Sequence, residues 1–225
     1  MSMLRFFFAC LLVIFAASCT YQGKGSDPIT KKFTWFSYVN GDDIRKACAN
    51  LGADRYRFVY NGVYQHQTRT YDVFFHAKKI VMHVAGAANV KKLDLHDLLA
   101  PWRGVREELV VGDKELSQIK RALGASAALQ PTKTGLRLYS DKFYWTVAAC
   151  VEGKMHFNAY AWPSTEWETM QFDDVLLALD VTSVPVEEPR VLTDIDIWGS
   201  SQEADPFLIE LGDNGLVGFE GGSVK

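Results

Sequence analysis

No H-E-x-x-H is present, no glycine-rich loop ends in Lys-Ser or Lys-Thr, and Gly124-Ala125-Ser126-Ala127-Ala128 lacks the second glycine of a nucleophile elbow. Zinc-protease, phosphate-cradling and α/β-hydrolase chemistry therefore have no local support, and no catalytic residue can be named. Histidines are few, 5 in 225 residues. They stand at 66, 76, 83, 96 and 156 without ligand spacing, so neither a metal nor a cofactor is expected. Positive charge is not in excess either: the net charge of −3 speaks against nucleic acid as a partner. A bilayer-crossing helix needs about 20 apolar residues, and the best apolar run, Phe6 to Ser18, is shorter.

What that run does have is an ordered setting. Arg5 precedes it, small residues close it at Ala16-Ala17-Ser18, Cys19 follows, and Thr20-Tyr21-Gln22-Gly23-Lys24 is polar. This is the plan of a signal peptide rather than of a retained span. Ala16-Ala17-Ser18-Cys19 resembles the lipobox of bacterial lipoproteins, with alanine at 16 where leucine is commoner. The resemblance covers residues 1–19. It implies acylation of Cys19, with palmitate-type chains, and cleavage before it. At about 0.8 kcal/mol per buried methylene, two or three chains would hold the protein on a membrane permanently. Thr20 in place of aspartate favours the outer over the inner membrane by the enteric sorting rule, so the expected location is the bacterial cell envelope, facing the periplasm.

The expected layout is a signal peptide at 1–18, a lipidated tether at 19–32, a domain at 33–183 and an acidic tail at 184–225. A chain with 48% hydrophobic and 23% charged residues has the composition of a folded domain. Charge is uneven: Glu187 to Lys225 carries nine acidic and two basic residues, so the tail could lie on its own, more basic body. Of the 4 cysteines, Cys10 leaves with the signal and Cys19 is acylated. Cys48 and Cys150 remain, either bridged in an oxidising compartment or as two buried thiols.

Ile44, Ala47, Cys48 and Leu51 are spaced as one face of a helix over 42–51, with Gly52 as its C-terminal cap. Leu116, Ile119 and Leu123 mark a second helix before Gly124, and Phe172, Val175, Leu176 and Leu179 a third. Strands are predicted at 55–60, from 63 onward, and at 79–85, 135–139, 143–150 and 154–162, with Asn61-Gly62 as the first hairpin turn. The class is α+β, antiparallel sheet with packed helices. Both of the first two helices run from Gly-Asp to Leu-Gly-Ala, as a duplicated helix-plus-meander unit would.

Four features are candidate sites. With Val151-Glu152-Gly153 as a three-residue loop, Cys150 pairs with Lys154. Tyr144, Thr146, His156, Asn158, Tyr160 and Trp162 then share a face opposite the core, suited to a sugar ring or a partner protein. Arg69, in the polar run Gln65 to Thr70, is a candidate anion contact on an exposed strand end or groove. Asp173-Asp174 could be paired carboxylates, or acids placed at a helix N-terminus. A hairpin around Asp213-Asn214-Gly215 would dock on its own domain or add a strand to an envelope protein. These features describe a non-catalytic binding or assembly component. The alternatives are an enzyme acting on envelope glycan or lipid and a carrier of a small ligand or lipid.

Overall fold

The computed structural model describes residues 28–86, 104–193 and 207–221, so the lipobox-type segment with Cys19 lies outside the described residues. Helix α1, Pro28–Asn40, begins inside the stretch expected to be a tether. It stops at Gly41, whose φ of 68° reverses the chain. A Cβ there would lie 2.6 Å from that of Ala148, so glycine is required for contact as well as for conformation. Helix α2, Asp42–Ala47, tightens into a 3-10 turn at Cys48–Asn50, and Gly52 takes the left-handed conformation of a cap.

Six strands form the main sheet: β1 (Arg55–Gly62), β2 (Gln67–Phe74), β3 (Lys79–Gly86), β4 (Val105–Val110), β6 (Phe143–Val151) and β7 (Lys154–Ala161). Their order is β4-β3-β2-β1-β6-β7, every neighbour antiparallel. The α+β class is thus observed. Helix α3 (Asp113–Ala125) runs beyond Gly124, and the left-handed residue is Ala127. Two short helices follow β7: α4 (Thr165–Thr169) and α5 (Phe172–Ala178). No helix among the described residues is long and apolar enough to cross a membrane.

Both faces are covered at the middle of the sheet, which is why β1 is buried on alternate and intervening residues alike. One face carries Tyr56, Phe58, Tyr71, Ile80 and Trp145 beneath Ile119 and Leu123 of α3 and Phe172 of α5. The Phe172 ring lies 5.1 Å from Phe58, 5.6 Å from Trp145 and 5.2 Å from Tyr160. The other face carries Val59, Tyr144, Ala148 and Phe157 beneath Val39 of α1 and a second, three-stranded sheet. That sheet is β5 (Arg137–Tyr139), β8 (Phe207–Gly212) and β9 (Gly215–Gly221), with β8 in the middle. The tail hairpin therefore docks on its own domain, and β8 already has a strand on each side.

The first turn departs from expectation. Asn61 and Gly62 belong to β1, opposite Thr68 and Gln67, and the chain reverses at 63–66 with Val63 at a φ of 60°. Asn61 is fully buried, and its amide donates to the carbonyls of Ser140 (3.0 Å) and Lys142 (2.6 Å). Its value as a clamp on the chain leading into β6 outweighs its turn propensity.

Candidate functional site

Hairpin β6–β7 closes with two residues rather than three. Glu152 and Gly153 both have positive φ, 50° and 76°, as a type I′ turn demands, and Val151 faces Lys154. One residue of register moves every side chain of β7 to the opposite face from that expected. Tyr144 and Thr146 point to the face covered by α1 and the small sheet, whereas His156, Asn158, Tyr160 and Trp162 share the face of Trp145. The expected single binding face does not exist.

Neither half of it is open. Tyr144 and Thr146 are each 1% exposed, and neither hydroxyl has a partner among the described residues. Burial pushes the Tyr144 phenol well above its ordinary range, so it stays protonated. On the other face, the chain following α3 folds over β7. The Tyr160 hydroxyl donates to Ser126 O (2.7 Å), the Asn158 amide to Gln130 O (3.3 Å), and His156 Nδ1 lies 3.1 Å from Leu129 O. Trp162 packs edge-on against Phe143, ring centres 5.9 Å apart. These polar groups hold a loop in place rather than meeting a ligand.

Arg69 is likewise interior. Gln67, Thr68, Arg69 and Thr70 are all buried, which corrects the expectation of an exposed strand end or groove. The Arg69 guanidinium donates to Asp180 (2.7 Å), Gln67 Oε1 (2.7 Å), Pro185 O (2.8 Å) and Val184 O. Gln67 donates to Pro185 O and accepts from the Glu187 amide, and the Tyr60 hydroxyl donates to Glu187 O. Together they fasten residues 180–187 to the sheet. Burial alone would raise the Asp180 carboxyl, but hydrogen bonds from Thr182 and Tyr71 and the Arg69 charge hold it below the usual carboxylate range. With four of its five N–H donors used and the side chain 1% exposed, Arg69 has no place for an added anion.

A second buried arginine was not among the residues singled out from the sequence. Arg57, 2% exposed on the opposite face of β1, donates to Asp43 (2.7 Å), Asp72 (2.8 Å) and the Tyr38 carbonyl (3.0 Å). Its guanidinium lies 3.7 Å above the Tyr38 ring. Asp43 comes from α2 and Asp72 from β2, so the arginine joins three elements and the charge is matched on site. Alternation along β1 could have flagged a charge on a strand buried on both faces, but its partners are distant in sequence.

Cys48 and Cys150 are joined by a disulfide that ties the turn after α2 to β6. Asp173 and Asp174 sit in the first turn of α5. Burial, and secondarily the Asp174 charge, raise the Asp173 carboxyl above its ordinary value, and one of its oxygens is buried without a partner among the described residues. Among the described residues it is the one carboxyl whose protonation the surroundings promote, the property a general acid needs. No group of three or more potential metal ligands occurs among the described residues, and His96 lies outside them. Compared with known proteins, the chain matches no protein-family model and no curated protein.

Proposed function

We propose that this chain is a lipid-anchored protein of the bacterial cell envelope, facing the periplasm, with a binding or assembly role. One observation carries the compartment: the Cys48–Cys150 bridge, a bond that persists in oxidising compartments and is rare in the reducing cytosol. It agrees with the lipobox-type segment ending at Cys19, an independent feature of the sequence. Anchoring at Cys19 would leave the folded domain tethered close to the bilayer. Growing cells with an alkyne-tagged palmitate and coupling the tag to a dye tests this directly. The full chain should take the label and sediment with membranes, and Cys19→Ser should do neither. Label that persists in Cys19→Ser, or an unlabelled wild-type chain, overturns the anchor.

The second reading, an enzyme acting on envelope glycan or lipid, is favoured by Asp173 alone. Hydrolysis of peptidoglycan fragments by the purified chain, abolished in Asp173→Asn, would replace the binding role with this one.

A further inference from the structure

The two edges of the six-stranded sheet are treated differently. Along β7, outward carbonyls are capped from within the chain: Thr132 donates to Phe157 O (2.5 Å) and Asn214 to Met155 O (2.9 Å). At the opposite edge β4 pairs only with β3 among the described residues. Arg106, Glu107, Glu108 and Val110 are exposed, Val110 at 79%.

The ladder shows which backbone groups are free. The Val111 amide donates to Lys78 O (2.9 Å), so by strand alternation Val105, Glu107 and Leu109 turn their backbone groups toward β3. Those of Arg106, Glu108 and Val110 point outward, a row of donors and acceptors with no strand beside it among the described residues. The side chains on that row are self-complementary. Two copies of Val105–Val110, run antiparallel about a two-fold axis through Glu107, set Arg106 opposite Glu108 of the other copy, twice by symmetry. The same register makes those two residues the pair that exchanges backbone hydrogen bonds, and brings Val105 opposite Leu109 on the other face.

We propose that β4 pairs with β4 of a second copy of this chain, centred on Glu107, to make one continuous sheet. Each neighbouring register also opposes two like charges and forgoes both Arg106–Glu108 pairs. An axis through Glu108 sets that glutamate against itself and Arg106 against Val110, and an axis through Arg106 opposes two arginines. In the chosen register the remaining like-charge contact is Glu107 with itself, an exposed pair at the axis. Glu108 already lies 3.0 Å from Lys79, so it would sit between two cations. The pairing stands on the sheet edge and is independent of lipidation and compartment.

Cysteine scanning of the purified full-length chain tests both the pairing and its register. At the axis, Glu107→Cys places two Cα atoms about 4.5 Å apart, within disulfide reach. Two copies of Glu108→Cys would be about 8 Å apart, outside it. Under mild oxidation Glu107→Cys should give a covalent dimer well above the unsubstituted chain, and Glu108→Cys should not. In sedimentation, Arg106→Glu should weaken the dimer at least about five-fold, and adding Glu108→Arg should restore it. Absence of a Glu107→Cys dimer above background, equal crosslinking at both positions, or a charge swap that fails to restore association would each overturn the proposal.

Discussion

Arg69 and Arg57 lie on opposite faces of the sheet, three residues apart in register, and their cost depends on their partners. Removing one member of a buried ion pair strands the other, a loss of about 3–5 kcal/mol, whereas replacing both by apolar groups can be neutral. Arg69→Met should therefore destabilise the fold by an amount in that range in urea denaturation. Arg69→Met combined with Asp180→Leu should recover most of it. Asp173 works in the opposite direction. Its folded-state pKa is raised, so its stabilising contribution is complete below the ordinary aspartate range and lost as pH rises through the raised value. Asp173→Asn should consequently raise the melting temperature at pH 7, with the gain shrinking toward zero near pH 4.

At the scale of elements, most strands and three helices were legible because alternation and capping residues are local, whereas Pro28–Asn40, Val105–Val110 and Thr165–Thr169 had not been expected. Lys79–Gly86, Phe143–Val151 and the Phe172 helix fall within a residue or two of their sequence-derived limits. The turn at Asp213-Asn214 was legible too, but the two turns after Asn61 and Val151 were not, and the candidate site failed with the second. Both faces of β6 and β7 are apolar enough to be core, so burial pattern could not choose between registers. Glu152 is also an unusual occupant of a left-handed position, which made Gly153 alone look like the turn residue. The cost of that residue can be measured. Glu152→Asn should stabilise the hairpin by up to about 1 kcal/mol, read in chemical denaturation, because asparagine tolerates the conformation better. Asn61-Gly62 misled for the converse reason: a residue good at turns was needed as a buried donor to two carbonyls about eighty positions later. Arg69 was misread because what buries it, residues 180–187, lies more than a hundred positions away.

Over the whole molecule, the disulfide closes a long covalent loop, its cysteines 102 positions apart. In the chain-entropy account, opening such a loop costs about 4–5 kcal/mol. Cys150→Ser should lower the urea midpoint accordingly, and the wild-type chain should show a similar loss when reductant is added. A chain whose stability is indifferent to reductant would contradict the bridge and, with it, the compartment it supports. The tail belongs to the same accounting. Phe207, Ile209 and Leu211 are buried in the second core, so the hairpin β8–β9 of the acidic tail is part of the fold.

Sheet order also sets a timetable. β1 is flanked by β2, a few residues on, and by β6, which begins eighty-eight residues after β1 does. β5 must wait nearly as long for β8. Contacts so far apart in sequence are slow to form, since each demands closure of a long loop before it returns any stabilisation. While the chain emerges from a ribosome or a translocation channel, β1 through β3 can form a meander early, but the aromatic face of β1 keeps an open flank until Phe143–Val151 arrives. During that interval Tyr56, Phe58 and Tyr60 are a surface for misassociation.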